Sequence, residues 1–261
     1  MPPGLRNLLL PLAALALASA APAARAQERA VDLALLLAVD ASSSVSAEEF
    51  DLQMNGLAAA FSDPGVQAAI ESVGDQGIAV ALVQWSDNVK QTVAIDWRLL
   101  RDGGESAAFS DEVRNTPRFL VGGGTALGDA LAYCLERLLE SGYVGRRQVI
   151  DISGDGRTNQ GIHPGLVRDQ AVALGITVNG LAILNEDPTV DSYYQYNVIG
   201  GTGAFVMTAS GYSDFADAIR AKLIREISGA PVALLPGSLE PGPAAQSHPG
   251  AAPASAARPL R

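Results

Sequence analysis

The sequence predicts an α/β fold in which a mostly parallel sheet carries helices on both of its faces. Short aliphatic runs alternate with segments of helical periodicity along most of the chain, and this alternation is typical of β-α units. The run at 31–39 is nearly continuously aliphatic, as expected for a strand that is buried on both faces, and residues 77–85 and 148–152 are two further predicted strands. All aromatic residues lie between Phe50 and Phe215, so one globular body of about 200 residues accounts for the core.

The first half of this body contains three predicted strands and a helix. Residues 31–39 form the first strand, and Ser46 followed by Glu49 has the spacing of a capping box that opens a helix. Residues 77–85 form the second strand. A polar turn and the polar–apolar alternation of 89–95 then predict a strand that folds back antiparallel to the second one.

The second half begins with a polar stretch at 101–118, for which we expect a short helix. Three consecutive glycines then precede a long helix with an apolar stripe. That stripe includes Cys134, the only cysteine, so the thiol is expected to be buried and no internal disulfide can form. The remaining predicted elements are strands at 148–152, 176–184 and 204–208 and helices at 126–139, 165–174 and 213–227, the last of them capped by Ser213.

The two ends of the chain differ in composition from this body. Residues 1–26 combine a basic residue, an apolar stretch and a small-x-small cleavage site, so we interpret them as a secretory signal peptide. Residues 230–261 are rich in Ala, Pro, Gly and Ser and hold seven of the fifteen prolines, which predicts a disordered tail. The domain is therefore expected to span 27–229 and to be exported, to the periplasm or the medium.

Charge and hydropathy exclude several classes of function. The chain has 28 acidic and 18 basic residues and a net charge of −10, which argues against a nucleic-acid-binding protein. The apolar stretch at the amino terminus is shorter than the roughly 20 residues that a transmembrane helix requires, and no other apolar run is long enough. We therefore expect no membrane span after cleavage of the signal peptide.

Polar residues cluster in three loops beside the predicted strands and helices. Asp40, Ser42 and Ser44 follow the first strand, Thr125 follows the glycine run, and Asp155 follows a later buried strand. Ligands bind at the carboxyl ends of parallel strands, so we expect these five side chains to share one site. Carboxylate and hydroxyl oxygens suit a small hard cation such as Mg²⁺, whereas the scarcity of His and Cys disfavours zinc or copper.

These residues, in this order, resemble the metal-ion-dependent adhesion site of von Willebrand factor type A domains. The resemblance rests on the DxSxS pattern of residues 40–44, the threonine in a glycine-rich loop before a helix, and the Asp-Gly pair after a buried strand. It covers residues 30–229, and the chain looks similar to secreted bacterial proteins built around one such domain. It implies a Rossmann-like, doubly wound sheet with one antiparallel edge strand, which suits residues 89–95.

The resemblance also implies roles for the five residues. Ser42 and Ser44 would coordinate Mg²⁺ or Mn²⁺ directly, Thr125 would do so in the ligand-bound form, and Asp40 and Asp155 would act largely through water. A partner protein would complete the metal shell with an Asp or Glu carboxylate. We therefore predict an exported, metal-ion-dependent module for protein binding or adhesion, without catalytic activity.

Two alternative interpretations use the same residues. In the first, Asp40 and Asp155 serve a metal-dependent hydrolase or phosphatase, because the Gly-Asp-Gly around Asp155 resembles a motif of haloacid-dehalogenase-type phosphatases; Ser42, however, stands where that family has its second aspartate. In the second, the loops are only structural, and Thr125 simply caps a helix. A serine hydrolase has little support, because His163 is the only histidine in the body and no G-x-S-x-G element occurs.

Overall fold

The computed structural model describes residues 28–229 and confirms the predicted fold class. The predicted signal peptide (1–26) and tail (230–261) lie outside the described residues. The strands are β1 (Arg29–Asp40), β2 (Ile78–Trp85), β3 (Gln91–Leu100), β4 (Tyr143–Gly154), β5 (Thr177–Ile183) and β6 (Val206–Ala209). The helices are α1 (Ala47–Ser62), α2 (Pro64–Ser72), α3 (Gly103–Arg114), α4 (Leu127–Leu139), α5 (Pro164–Ala173), α6 (Val190–Tyr193) and α7 (Phe215–Ser228), with a π-helical turn at Tyr194–Val198 and a 3₁₀ turn at Tyr212–Asp214.

The six strands form one sheet in the order β3-β2-β1-β4-β5-β6. β3 is antiparallel to β2, and every other neighbouring pair is parallel. β1 lies near the centre, and the direction of winding reverses between β1 and β4. The register places Leu36 opposite Ala81 of β2 and opposite Ile150 of β4. The carboxyl ends of these three strands therefore meet at one edge, where an open α/β sheet presents its binding crevice.

Two apolar layers bury the faces of the sheet. Helices α1, α2, α3 and α7 cover one face, where Leu35 and Val80 are fully buried. Helices α4 and α5 and the π-helical turn cover the other face, which Leu36 and Ile152 line. Cys134 of α4 lies in this second layer with no exposed surface, as its helical spacing predicts, and burial raises the pKa of its thiol. Within residues 28–229, no helix combines the length and apolarity needed to cross a membrane.

The structure differs from the sequence prediction in several elements. Helix α2 was not predicted; the Asp63 side chain caps it by accepting hydrogen bonds from the first backbone N–H groups, and Pro64 occupies its first position. Strand β4 begins five residues earlier than predicted, because its first half pairs with the start of β1 although it is only partly buried. Ser213 does not cap α7, since it lies inside the 3₁₀ turn that precedes the helix.

Candidate metal centre

The predicted site lies at the carboxyl ends of β1 and β4, on either side of the point where the winding reverses. Asp40 is the last residue of β1, and Asp155 follows the last residue of β4. Ala38 is paired with Ile152 in the register of these two strands, so both acidic residues leave the sheet side by side. Asp40 is fully buried and Asp155 is 2% exposed. The parallel pairing of β1 with β4 thus brings together residues that are 115 positions apart in the chain.

A continuous chain of hydrogen bonds joins four of the five predicted residues. The backbone N–H of Ser42 donates to Asp40 Oδ1 over 2.7 Å. The hydroxyl oxygens of Ser42 and Ser44 lie 3.1 Å apart, and Ser44 Oγ donates to Asp155 Oδ1 over 2.9 Å. The turn after β1 therefore directs both serine hydroxyls towards the carboxylate of the neighbouring strand.

These separations suit the shell of a small divalent cation. Mg²⁺ binds six oxygens at about 2.0–2.1 Å in an octahedron, so adjacent ligand oxygens are about 2.9 Å apart. The observed oxygen–oxygen distances of 3.1 Å for Ser42 and Ser44 and 2.9 Å for Ser44 and Asp155 are close to that edge length. Hydrogen bonds between oxygens have the same length, so these distances are compatible with such an ion and do not by themselves indicate one.

Thr125, the fifth predicted residue, lies beside this chain but is not part of it. It is 6% exposed, and a Cβ added to Gly156 would lie 3.7 Å from its Oγ1, so its hydroxyl is next to the Asp155 loop. Asn159 holds the Thr125 backbone: its side-chain Oδ1 accepts from Thr125 N, and its N–H donates to Thr125 O, each over 2.9 Å. Thr125 does not cap α4, because the N-cap position is Ala126.

The two carboxylates of the site receive hydrogen bonds from neutral donors. Asp40 accepts from Ser42, and Asp155 accepts from the hydroxyls of Ser44 and Tyr212. Burial and the nearby Asp155 raise the pKa of Asp40 to about 7. Burial also raises the pKa of Asp155. Because both negative charges are costly in this environment, the site gains from a cation placed between them.

Two residues that the sequence analysis did not single out donate hydrogen bonds to the site residues or to the backbone beside them. Tyr212, in the 3₁₀ turn before α7, donates to Asp155 Oδ2 over 3.0 Å. Arg118, in the loop that leads to Thr125, donates from Nη2 to the carbonyl oxygens of Ala41 and Ser42 over 2.9 and 3.0 Å. No sequence motif marks either residue, since each partner is distant in the chain.

The glycine run before Thr125 is required by close packing. Gly123 has φ of +109°, and a Cβ added there would lie 2.4 Å from Ser86 Oγ and 2.7 Å from Asp87 Oδ2. The carbonyl oxygen of Gly123 accepts a hydrogen bond from the backbone N–H of Ser43 over 3.1 Å. A residue with a side chain at this position would clash with the turn between β2 and β3 and displace the glycine loop that carries Thr125.

His163 and two tyrosines, Tyr194 and Tyr196, lie outside this ligand set. His163 is the N-cap of α5, and its Nδ1 accepts a hydrogen bond from the backbone N–H of Gly165 over 3.2 Å. Tyr196 is 79% exposed, whereas Tyr194 is fully buried in the second apolar layer. Across residues 28–229, no three His, Cys, Asp or Glu side chains come together as a metal-binding group. The two carboxylates and three hydroxyls therefore remain the candidate ligand set.

Comparisons with known proteins agree with this architecture. The family model described as "Protein of unknown function (DUF1194)" matches residues 30–231. No curated protein sequence matches the chain. Among solved structures, proximal thread matrix protein 1 from the mussel byssus is similar with a TM-score of 0.58 and 17% identity, over 77% of this chain and 48% of that one.

Two further solved structures show the same similarity. A structure of the mussel protein with a zinc-occupied MIDAS motif has a TM-score of 0.56 and 16% identity, over 77% of this chain and 49% of that one. A von Willebrand factor type A protein from Catenulispora acidiphila has a TM-score of 0.51 and 17% identity, over 76% of this chain and 43% of that one. The chain spans about half or less of the length of these three structures. These similarities show that its fold is that of a von Willebrand factor type A domain.

Proposed function

The chain belongs to the DUF1194 family and has the von Willebrand factor type A fold, and from this we propose that it is a metal-ion-dependent module for protein binding. Ser42, Ser44 and Thr125 would hold Mg²⁺ or Mn²⁺, while Asp40 and Asp155 would orient coordinated water and balance its charge. The observation that carries this proposal is the pair of buried carboxylates, bridged by serine hydroxyls and hydrogen-bonded only to neutral donors. A bound cation would offset the repulsion between the two carboxylates.

A metal held in this way would recognise a partner by its carboxylate. Hydroxyl ligands contribute no charge, so the ion keeps more of its attraction for an anion than it would in a shell of carboxylates. The surrounding protein is acidic, with a net charge of −10, and would otherwise repel an acidic group. We therefore propose a protein ligand that presents an Asp or Glu side chain. The zinc-occupied MIDAS motif of the mussel structure supports the choice of a divalent ion.

The proposal is tested by titrating the purified protein with MgCl₂ and MnCl₂ in a calorimeter. We expect saturable binding of one ion by the wild type, and weaker binding by at least tenfold in Ser42→Ala and Asp155→Asn. Ser72→Ala is the matched control, because Ser72 is an exposed serine at the end of α2 and donates only to Ala69 O. Absence of binding by the wild type, or equal binding by all four proteins, would reject the metal site.

The partner carboxylate is tested separately, with the metal present. A peptide that contains one glutamate is expected to bind in Mg²⁺ and not in EDTA, and its glutamine version should bind in neither. Binding of both peptides to the same extent would reject the carboxylate. Turnover of phosphate monoesters that is lost in Asp40→Asn would instead favour a hydrolase.

We also propose that the protein is exported and that residues 1–26 are removed as a signal peptide. This division leaves a domain at 27–229 and a tail at 230–261, and the family match at residues 30–231 is compatible with it. The proposal is tested by amino-terminal sequencing of the protein from the periplasm and the medium. The expected first residue is Gln27, and recovery of the uncleaved chain from the cytoplasm would contradict export.

A further inference from the structure

Three buried polar atoms lie together beneath the candidate metal centre. They are Oδ2 of Asp40, the hydroxyl of Tyr194 and the indole Nε1 of Trp85, and each of the three residues is fully buried. None of the three atoms has a hydrogen-bond partner within residues 28–229. Buried polar groups are rarely left unpaired, because removing them from water without a new partner is costly. The cluster therefore points to a bound polar group.

The three residues approach one another beside Gly154. A Cβ added to Gly154 would lie 2.8 Å from Asp40 Oδ2, 2.8 Å from the Tyr194 hydroxyl and 3.1 Å from Cζ2 of Trp85. Cζ2 lies two bonds from Nε1, so the indole N–H is near the same place as the other two groups. A side chain at position 154 would clash with these groups, and only glycine is compatible with their approach.

The donors and acceptors of the cluster complement one water molecule. An ionised carboxylate only accepts hydrogen bonds, an indole N–H only donates, and a phenol hydroxyl does both. A water there would accept from Trp85 Nε1 and from Tyr194 and would donate to Asp40 Oδ2. Buried waters typically make about three such bonds.

We propose that one buried water joins these three groups and that Tyr194 is thereby a positioning residue for the metal centre. The role of Tyr194 rests on the proposed function, whereas the water does not. Asp40 already receives Ser42 N–H on Oδ1 over 2.7 Å. With Oδ2 held from the opposite side, the carboxylate can no longer turn about its Cβ–Cγ bond, and its orientation towards the serine loop is fixed.

The packing of Tyr194 places its hydroxyl beside Gly154. Tyr194 opens the π-helical turn at Tyr194–Val198, and such turns are frequent at functional sites. Its ring packs against Gly180 of β5, where a Cβ would lie 2.6 Å from the ring carbon Cδ1. Packing alone explains a buried aromatic ring at this position, but it does not explain a hydroxyl among buried atoms.

The positioning role is tested with Tyr194→Phe, which removes one oxygen and keeps the ring. We expect its dissociation constant for Mg²⁺ to rise about tenfold, as for other groups that orient metal-binding residues. Tyr196→Phe is the matched control, because Tyr196 lies in the same turn and is 79% exposed, and its affinity should be that of the wild type. Thermal unfolding in EDTA shows whether each variant is folded.

A double-mutant cycle separates positioning from general stability, using Mn²⁺ at concentrations that saturate weakened sites. If Tyr194 acts through Asp40, Tyr194→Phe should lower affinity in the wild type and have little further effect in Asp40→Asn. Equal losses in both backgrounds, or wild-type affinity in Tyr194→Phe, would overturn the role of Tyr194 while leaving the metal site itself intact.

The water is tested by a high-resolution crystal structure of the wild-type protein, and this result does not depend on any variant. We expect an ordered water within about 3 Å of Asp40 Oδ2, the Tyr194 hydroxyl and Trp85 Nε1. Absence of an ordered water from this position would overturn this part of the proposal. Failure of the wild type to bind metal would reject the proposed function and the role of Tyr194, and the crystal structure would still decide on the water.

Discussion

The hydroxyl of Tyr212 donates a hydrogen bond of 3.0 Å to Oδ2 of Asp155, while Ser44 donates to the other oxygen of the same carboxylate. Tyr212 lies in the turn that leads directly into α7, so the last helix of the domain is linked to the candidate metal centre by a single side chain. Burial and the neighbouring Asp155 raise the pKa of the Tyr212 phenol, which therefore remains a hydrogen-bond donor at neutral pH.

Tyr212→Phe should weaken Mg²⁺ binding about tenfold, because Asp155 loses the group that fixes its second oxygen. The dissociation constant is measured by calorimetry at pH 7. Tyr143→Phe is the control, since Tyr143 is a partly buried tyrosine at the start of β4, at the opposite end of the sheet. A loss of the same size in both variants would contradict a specific role for Tyr212.

Arg118→Gln should lower the free energy of unfolding by about 2 kcal/mol and weaken metal binding. The side chain donates to the carbonyl oxygens of Ala41 and Ser42, and hydrogen bonds from a charged donor contribute about 1.5–3 kcal/mol. Urea unfolding in EDTA measures the first effect and calorimetry the second. Arg114→Gln, which removes an exposed ion pair with Asp111, should change stability by less than about 1 kcal/mol. Equal unfolding midpoints for the two variants would refute the prediction.

Gly123→Ala should be more harmful than Gly142→Ala, although both glycines have positive φ. At Gly142, with φ of +73°, the left-handed backbone costs an alanine about 1–2 kcal/mol, whereas the φ of +109° at Gly123 lies further from the conformations that an alanine adopts. At Gly123 the added Cβ also meets Ser86 Oγ at 2.4 Å, whereas at Gly142 it meets nothing within 4 Å. Both differences act in the same direction, and thermal unfolding and Mg²⁺ titration of the two variants measure their combined effect. We expect only Gly123→Ala to lose metal affinity. Retained affinity in that variant would contradict the requirement for close packing of Gly123 against Ser86.

A buried charged cluster under α7 should make stability depend on pH. Lys222 of α7 contacts Asp151 of β4 and Glu226 of its own helix, each over 2.5 Å, and Asn179 of β5 donates to Glu226 Oε1. Burial and the nearby Asp151 raise the pKa of Glu226 to about 8, from an ordinary value of 4.5. The folded state therefore retains a proton that the unfolded chain releases. This contribution to stability is complete below pH 4.5 and is lost as the pH rises through about 8.

The pH dependence is measured by urea unfolding of the wild type and Glu226→Gln between pH 5 and 9. The glutamine cannot ionise, so its variant should lose less stability than the wild type over this range. Glu140→Gln removes an exposed carboxylate from the end of α4 and should follow the wild type. Parallel curves for the wild type and Glu226→Gln would contradict the assignment.

Lys222→Met should destabilise the protein by about 3–5 kcal/mol, because it leaves the buried Asp151 carboxylate without its cation. The free energy of unfolding is measured at pH 7 in EDTA. Lys90→Met, which breaks a partly exposed ion pair with Asp87, should cost less than about 1 kcal/mol. A loss below 1 kcal/mol in Lys222→Met would contradict a stabilising ion pair between Lys222 and Asp151.

The strands and the predicted ligands could be derived from local patterns. The nearly continuous aliphatic run of 31–39 predicts a strand buried on both faces, and β1 is buried along all of this segment. The alternation of 89–95 predicts the antiparallel edge strand, which pairs with β2 as expected. Helix α2 was not predicted, because the only local signal for it is Asp63 followed by Pro64, and the same pair is also common in loops. Ser213 failed as a cap because a 3₁₀ turn holds it away from the first helical N–H groups.

The sequence by itself determined the fold class and the residue types of the site, because hydrophobic periodicity and the DxSxS pattern are local properties. Only the tertiary structure decided which side chains support that site. Tyr212 meets Asp155 over 57 positions, and Arg118 meets the Ala41 carbonyl over 77. Such contacts depend on strand order and register, which place distant segments at one edge of the sheet. The same packing brings Tyr194 and Trp85 close to Asp40, and no residue spacing in the sequence predicts that proximity.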